Sequence, residues 1–325
     1  MNRSLFQLLT FLVFLTLVVT QQAPNSHVDE SLTNYSSLYQ KVSVTQDQST
    51  LLEVIKEKSK NYEEPPQDAK IDKVWKKIPG RNGIKVNIDK SYENMKDSGK
   101  FDETLLVYDQ IPPEVTMDEL PPSPIYKGHP EKQMVSFLIN VAWGTDNIPS
   151  MLNTLKEHQV KATFFIEGKW ASKNTKLVKM IKEEGHLIGN HAYDHPDMSQ
   201  LSNAENMEQM KKTNEILEAI TGEKPKWFAP PSGSFKDQVV TSASELGMNT
   251  VLWSVDTIDW KKPSTSVMVN RVMSNIHPGA MVLMHPTDVI KDGLDDLILN
   301  IKEKEYRIGT VEKLLNEKRL NTVTK

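Results

Sequence analysis

From residue 134 to residue 316 the chain alternates between short apolar runs and longer amphipathic stretches. Val135–Asn140 and Ala162–Ile166 are apolar runs typical of buried strands, whereas Ile148–His158 has the spacing of an amphipathic helix. The same pattern predicts further strands at Ile188 and over 227–229, 250–255, 280–284 and 306–309, and further helices over 174–184, 204–221, 236–246, 264–275, 294–304 and 311–316. Because strands and helices alternate strictly, the strands should pair in parallel. The predicted fold class is α/β, a distorted (β/α) barrel of about seven parallel strands.

The chain before residue 131 is less regular. Residues 24–69 are polar and predict a tether with a local helix over Thr50–Lys58. Residues 70–111, which include an alternating stretch at 84–88, predict a small N-terminal α+β module. Six prolines between residues 112 and 130 then predict a stiff linker of polyproline type. The main domain should therefore cover residues 131–320 and fold on its own.

The amino terminus has the pattern of an export signal. Arg3 precedes an apolar run from Leu5 to Thr20, and polar sequence begins at Gln21. This pattern predicts that residues 1–23 form either a signal peptide or an N-terminal membrane anchor. Both alternatives predict an exported, extracytoplasmic or envelope protein that contacts the membrane only through this segment. The absence of cysteine excludes disulfides, so the core must supply the stability.

Composition narrows the classes of partner. The 325 residues are 38% hydrophobic and 25% charged, an ordinary balance for a globular protein with a sizeable core. The formal net charge of -4 and the mixing of both signs along the chain give no indication of a nucleic-acid-binding protein. We expect a monomer that does not bind nucleic acid.

The residues that could carry chemistry follow the predicted strands. Asn140, Pro230, Asp256 and His285 each stand after a strand, and the carboxyl ends of barrel strands share one rim. His191 and His195 follow another strand and are four residues apart, about one helical turn, which Pro196 should end. Two neutral imidazoles that point to one spot suit Zn²⁺ or a similar divalent ion, which still needs at least one further ligand.

Five segments resemble, in order, the motifs of the polysaccharide deacetylase family, the NodB-homology fold of carbohydrate esterase family four. They are Lys161–Ile166, Gly189–Ser199, Phe228–Gly233, Trp253–Trp260 and Leu283–His285. The layout is most similar to the sporulation-type deacetylase-like proteins of Bacillus. The resemblance implies a hydrolase that removes acetyl groups from N-acetylated cell-wall glycan such as peptidoglycan, with a divalent metal, Zn²⁺ before others, as cofactor.

The resemblance also implies roles for single residues. His191 and His195 match the metal-binding histidines, and His285 matches the general acid. Asp256 matches the carboxylate that orients His285, with Asp259 as the second candidate. Three further residues match the wall of the sugar pocket: Trp260, Pro230 and Pro231.

The first motif departs from the family pattern. The family has Thr-Phe-Asp-Asp-Gly, whereas this chain reads Leu-Ile-Asn-Val-Ala over residues 138–142. Asn140 thus stands at the position of the general base and Val141 at that of the metal-binding Asp. An amide has no useful proton affinity near neutral pH, and an isopropyl group binds no cation. Ala229 replaces the Arg that pairs with the base in the family. An Arg at this position would lack a partner here, because residue 140 is not a carboxylate.

These departures leave two main hypotheses open. In the first, the protein is a working metal-dependent deacetylase in which Asp146 or Asp194 replaces the missing carboxylate. In the second, it is a catalytically inactive carbohydrate-binding pseudoenzyme of the cell envelope, whose metal is weakly bound or absent. A purely structural envelope protein would leave four residues without a role: His191, His195, Asp256 and His285. The sequence identifies neither the glycan nor the metal.

Overall fold

The computed structural model describes residues 50–320. The predicted signal or anchor over residues 1–23 and most of the predicted tether lie outside the described residues. The chain divides into two compact units. Within the described residues, the small unit comprises residues 50–58 and 88–105, and the barrel unit comprises residues 59–87 and 106–320. None of the described helices is both long enough and apolar enough to cross a membrane.

The small unit is helical. Helix α1 occupies residues 50–59, which confirms the local helix predicted over Thr50–Lys58, and helix α2 spans Ile88–Met95. Leu51 and Ile55 are buried, and so is Met95 at the end of α2. Part of the predicted tether is therefore regular structure.

Two strand pairs precede the barrel strands in the barrel unit. Strand β1 (Lys70–Asp72) pairs antiparallel with β2 (Lys76–Ile78), and β3 (Gly83–Val86) pairs antiparallel with β4 (Tyr108–Ile111). The predicted module over residues 70–111 is thus divided, because its strands belong to the barrel unit and its helix α2 to the small unit.

The main sheet is parallel throughout and curls into a half-barrel. Its strand order is β10-β11-β5-β6-β7-β8-β9, and β12 also pairs with β5. This arrangement confirms the predicted barrel of about seven parallel strands. The strands are β5 (Met134–Val141), β6 (Thr163–Ile166), β7 (Leu187–Asn190), β8 (Trp227–Phe228), β9 (Asn249–Thr250), β10 (Val255–Asp256), β11 (Met281–Met284) and β12 (Arg307–Gly309). The helices between and after them are α3 (Ile148–Glu157), α4 (Gly168–Lys173), α5 (Thr175–Glu183), α6 (Asn203–Thr221), α7 (Asp237–Glu245), α8 (Thr265–Asn275), α9 (Asp288–Glu303) and α10 (Val311–Leu315).

Strand β5 shows how the sheet positions the site. All eight of its residues are buried, and alternate side chains point to opposite faces of the sheet. Phe137, Ile139 and Val141 lie in the larger core cluster together with apolar residues of the surrounding helices. Leu138 lies in a second buried cluster, the inner cluster, which lies inside the barrel and also contains Phe165, Val251 and Met281. Alternation therefore places Asn140 on that inner side, at the carboxyl end of the strand.

The predicted strand over residues 250–255 is wrong as a single element. Residues 249–250 form β9 and residues 255–256 form β10, and these two strands are the opposite ends of the sheet order. Ile125 makes backbone hydrogen bonds to the segment that runs from β9 towards β10. Its N–H donates to Thr250 O at 3.0 Å, and its carbonyl accepts from Leu252 N at 2.8 Å. A continuous apolar run in the sequence does not reveal that another segment pairs with its middle. The short helix α4 was not predicted either.

The proline-rich segment over residues 112–130, which the sequence predicts to be a stiff linker, is part of the barrel unit. Ile125 is completely buried in the inner cluster. Gly128 N–H donates to Gly279 O at 2.8 Å, and Pro124 O accepts from Lys77 N at 3.1 Å. Proline lacks an N–H but keeps its carbonyl, and the residues between the prolines supply the donors, so the segment can pack as ordered chain.

Candidate active site

The loop that carries the two histidines directly follows β7. It is not the helical turn that the sequence predicted, because Ala192 and His195 both have φ of +59°, in the left-handed region. The imidazole rings of His191 and His195 nevertheless lie together, with centroids 5.1 Å apart and planes at 72°. The expectation that the two rings face one site is therefore met by a different backbone path.

Neighbouring elements hold this loop on both sides. The N–H of Gly168 donates to Ala192 O at 2.9 Å, and the N–H of Lys169 donates to Tyr193 O at 2.8 Å. On the other side, Gln209 on α6 accepts from the backbone N–H groups of Tyr193 and Asp194 through one side-chain oxygen, at 2.9 and 3.2 Å. A short non-helical loop thus has its backbone bonds satisfied and its conformation fixed.

The imidazole of His191 is held in one tautomer. Its side chain is buried, and its Nδ1 lies 2.7 Å from Ala229 O, which can only accept, so Nδ1 carries the hydrogen and Nε2 keeps a lone pair. Burial, with a smaller contribution from the neighbouring His195, lowers the pKa of His191 to about 3. Burial also lowers the pKa of His195. Both rings are neutral near pH 7, the form that binds a metal ion.

Within the part of the chain that the structure describes, no third ligand completes a metal site beside these histidines. Val141 is buried in the larger core cluster, and its isopropyl group binds no cation. Among residues 50–320 there is no group of three His, Asp, Glu or Cys side chains that could hold a metal ion. A structural or catalytic zinc site has at least three protein ligands, so the residues present do not fit a tightly held divalent metal.

Asn140 lies at the floor of the site. It is 4% exposed, and its Oδ1 has no hydrogen-bond partner among the described residues. A buried polar atom without a partner costs free energy, and such atoms are uncommon in folded proteins. Ala229, where the family has Arg, is 3% exposed and lies in the inner cluster. Neither a base nor the cation that pairs with it is present at these positions.

The carboxylate that orients His285 is Asp259, and the preference for Asp256 was wrong. His285 Nδ1 lies 3.1 Å from Asp259 Oδ1, and the Asp259 side chain is fully buried. Asp256 instead accepts from the N–H of Ile258 at 2.8 Å, so one of its oxygens closes a local turn. Ile258 has φ of +51°, which redirects the chain after β10 and brings residue 259 under the histidine.

Two threonines support the buried carboxylate. Thr257 Oγ1 donates to Asp259 Oδ1 at 2.6 Å, and Thr287 Oγ1 donates to Oδ2 at 2.9 Å. Both oxygens of Asp259 are therefore bonded, as a buried carboxylate requires. His285 keeps the carboxylate partner of a general acid although the opposite side of the site has lost its base.

A cavity of about 490 Å³ joins these residues at the rim. The residues that the sequence predicted and that the structure brings together around it are Asn140, His191, His195, Asp256, Trp260 and His285. Pro230 and Pro231 are buried and do not line the cavity, where Ser232, with φ of +55°, takes their place. Asp146 and Asp194 are exposed and do not line it either. The structure therefore gives no support to a substitute carboxylate from these two residues.

Two lining tryptophans, Trp143 and Trp253, were not predicted. The ring of Trp143 stacks on the imidazole of His285, with centroids 5.8 Å apart and planes at 11°, yet Trp143 is 46% exposed. Trp260 is 51% exposed on the same cavity. Exposed, fixed aromatic rings are suited to packing against the apolar face of a ligand. An aromatic residue directly after the degenerate first motif was the signal in the sequence.

The loop that carries Trp143 packs tightly on the segment after His285. Gly144 has φ of +75°, and a Cβ there would lie only 2.1 Å from Pro286 O. Asn147 Nδ2 donates to the same carbonyl at 3.1 Å, and Trp170 Nε1 donates to Thr145 Oγ1 at 3.0 Å. These contacts fix the position of the Trp143 ring before any ligand binds.

Comparison with known proteins agrees with this arrangement. Residues 127–251 match the family model described as polysaccharide deacetylase. The crystal structure of wild-type BA3943 from Bacillus anthracis, described as a CE4 family pseudoenzyme, is 49% identical, with a TM-score of 0.79, and the match covers 83% of this chain and 96% of that chain. The chain belongs to the polysaccharide deacetylase family. A BA3943 mutant described as having restored enzymatic activity is similar to this family member to the same degree, at 48% identity and a TM-score of 0.79.

Two curated relatives of this polysaccharide deacetylase family member differ in what their names say. The uncharacterized protein YlxY of Bacillus subtilis is 56% identical over 86% of this chain and 88% of its own length. The peptidoglycan-N-acetylglucosamine deacetylase of Bacillus cereus is 40% identical over 50% of this chain and 61% of its own length. Residues 23–100 also match a model described as a putative peptidoglycan binding domain, which begins outside the described residues.

Proposed function

We propose that this protein binds cell-wall glycan in the rim cavity without hydrolysing it. One observation carries the proposal: beside the two neutral imidazoles, the first-strand positions hold Asn140 and Val141, and neither is a carboxylate. General-base catalysis typically contributes about 10²- to 10⁴-fold to a rate, and an amide cannot supply it. The missing anionic ligand also removes the charge that would hold the metal.

The choice of ligand rests on two further observations. The cavity is lined by three tryptophans, two of which are about half exposed, and rigid aromatic faces suit the apolar faces of sugar rings. The relatives whose names state an activity act on peptidoglycan, and residues 23–100 match a putative peptidoglycan binding domain. These observations support an extracytoplasmic ligand and agree with the export signal expected from the sequence.

The first experiment measures metal content and acetate release together. We expect the purified full chain to contain less than one equivalent of Zn²⁺ and to release no acetate above background from N-acetylglucosamine oligomers or peptidoglycan. Isothermal titration calorimetry on soluble glycan fragments should nevertheless detect binding. Robust acetate release that disappears in Asp146→Asn would show a rebuilt active site and overturn the proposal.

A repair variant tests the same proposal in the opposite direction. The triple change Asn140→Asp, Val141→Asp and Ala229→Arg restores the base, the metal ligand and the cation that pairs with the base. We expect it to raise Zn²⁺ affinity and to give measurable acetate release, because His285 and its partner Asp259 are still in place. The same triple variant carrying His285→Gln is the matched control and should release no acetate. Equal acetate release by the triple variant with and without His285→Gln would show that the repaired site does not use the His285–Asp259 pair.

A further inference from the structure

The hairpin formed by β1 and β2 exposes apolar side chains at its loop. Val74 is 72% exposed and Ile71 is 45% exposed, and the neighbouring Trp75 is half-buried. None of the three belongs to a buried cluster of the described residues or packs against one. A single exposed apolar residue needs no explanation, but three within five consecutive residues form a patch that suits an apolar partner.

The hairpin holds this patch in a fixed conformation. One side-chain oxygen of Asp72 accepts the backbone N–H groups of Val74 and Trp75, both at 2.8 Å. Next to the loop, the N–H of Lys77 donates to Pro124 O at 3.1 Å, which ties strand β2 to the barrel unit. The patch is therefore ordered before a partner binds, and binding costs little conformational entropy.

Lysines surround the patch. The hairpin itself carries three exposed lysines: Lys70, Lys73 and Lys76. The Nζ of Lys127 lies 4.5 Å from the centre of the indole ring in the loop. Asp72 is the only carboxylate between residues 70 and 78, so positive charge dominates here. Apolar side chains set among lysines are typical of a surface that meets anionic lipid.

We propose that this hairpin docks on an anionic lipid surface, with Val74 in the headgroup layer and the lysines against the lipid phosphates. Trp75 suits the boundary of that layer, because its ring is apolar and its N–H is polar. Each lysine near an anionic membrane adds an attraction that decays within a Debye length. The signal or anchor that the sequence predicts over residues 1–23 would bring the chain to a membrane. The proposal does not depend on glycan binding in the rim cavity.

A fluorescent probe at the loop tests this docking in the full chain. Because the chain has no cysteine, Val74→Cys can be labelled at a single position with an environment-sensitive nitrobenzoxadiazole group. Vesicles of equal parts phosphatidylglycerol and phosphatidylcholine should shift its emission to the blue, whereas phosphatidylcholine alone should leave it nearly unchanged. Leu299→Cys with the same label is the control, because Leu299 is 44% exposed on α9, and its emission should not shift. Each probe reports its own surroundings, so insertion of residues 1–23 into both kinds of vesicle would not produce this result.

Charge variants test the role of the lysines. In the chain labelled at residue 74, Lys73→Gln with Lys76→Gln should raise the anionic lipid concentration for half of the shift by about ten-fold or more. Lys176→Gln with Lys179→Gln removes the same charge from exposed positions on α5. This matched control should change that concentration by less than about two-fold.

Four results would overturn the proposal. They are no shift at residue 74, an equal shift with both kinds of vesicle, an equal shift at residue 299, and an equal effect of the two pairs of lysine variants. Long-chain inorganic polyphosphate separates lipid from a soluble polyanion, because it is anionic but offers no apolar phase. It should leave the emission at residue 74 unchanged, and a shift as large as with the anionic vesicles would also overturn the assignment to lipid. None of these measurements involves the rim cavity, so the proposed function stands or fails separately.

Discussion

At the scale of single residues, Asp256 at the end of β10 and Asp259 after it have different tasks although they are three positions apart. Asp259 is fully buried and bonded to His285, Thr257 and Thr287, whereas Asp256 is partly exposed and faces the cavity. Removing the charge should therefore affect a different property in each case: the stability of the fold for Asp259, and the binding of a ligand for Asp256.

Asp259→Asn should lower the free energy of unfolding by about 2 kcal/mol. Hydrogen bonds to a buried charge contribute more to stability than neutral ones. In addition, the new amide N–H group would face groups that now donate hydrogen bonds to the carboxylate. Asp256→Asn should change it by less than about 0.5 kcal/mol. Urea unfolding of both variants checks this. Equal destabilisation would mean that Asp256 has a structural role that its hydrogen bonds do not show.

Ala229→Arg alone should lower the free energy of unfolding by about 3 kcal/mol or more, because it places an unpaired cation in the inner cluster. In the double variant Asn140→Asp with Ala229→Arg, part of this loss should return, since the new carboxylate faces the new cation. A double-mutant cycle of urea unfolding free energies measures the coupling between the two positions. A coupling of zero would mean that residues 140 and 229 do not meet across the site.

Much of the site could be predicted from spacing, and the rest depended on backbone geometry. The positions of His191, His195 and His285 at one rim follow from alternating strands and helices, which the pattern of the sequence shows. The choice between Asp256 and Asp259 depended on the left-handed conformation of Ile258, an unusual one for a β-branched residue that no local pattern indicates. The failure of Pro230 and Pro231 to reach the cavity depended in the same way on the neighbouring turn at Ser232.

At the scale of elements, the loop between β5 and α3 fixes the aromatic wall of the cavity. Its close approach to Pro286 is possible only because residue 144 lacks a side chain. The ring of Trp143 is thereby held against His285 while nearly half of it remains exposed. Such a ring needs no reordering when a ligand binds.

Gly144→Ala should separate this loop from Pro286. The new Cβ would clash with Pro286 O, in addition to the strain at positive φ, so the free energy of unfolding should fall by about 2 kcal/mol more than in a control without the clash. Gly247→Ala is that control, because Gly247 has φ of +77° and open space around it. Near-ultraviolet circular dichroism should also lose the Trp143 signal only in Gly144→Ala. Equal effects of both changes would mean that the contact with Pro286 is loose.

At the scale of the whole molecule, two buried histidines outside the site predict a loss of stability in acid. Burial lowers the pKa of His129 and of His186 to about 4, and in each ring Nδ1 accepts a backbone N–H, an acceptor that protonation would remove. The unfolded chain takes up these protons near pH 6.5, but the folded chain does not until about pH 4. Stability is therefore fully present above pH 6.5 and falls as the pH falls through this window.

Each of these histidines should contribute a slope of about 1.4 kcal/mol per pH unit to the unfolding free energy between about pH 6 and pH 5. Urea unfolding at several pH values measures the combined slope, to which His191 also contributes because its pKa is lowered to about 3. His186→Gln should reduce this slope by about 1.4 kcal/mol per pH unit. A flat profile over this interval would show that neither ring is kept neutral by burial.

The fold class could be predicted because periodicity reports burial, but the domain boundary could not, since prolines mark stiffness and not the absence of contacts. Ala69, Met117 and Ile125 all precede residue 131 and all lie in the inner cluster. We expect a fragment of residues 59–320 to unfold cooperatively. Its free energy of unfolding should exceed that of a fragment of residues 131–320 by about 3 kcal/mol or more. Equal stability of the two fragments would restore the boundary at residue 130.

The ends of the barrel sheet have a consequence for how copies of this protein meet. Both end strands, β9 and β10, are only two residues long, and Ile125 already bonds along the chain next to β9. Aggregation and domain swapping through sheets need a long row of unpaired N–H and C=O groups as a template for the next strand. Neither end of this sheet offers such a row, so the barrel sheet resists growth by strand addition.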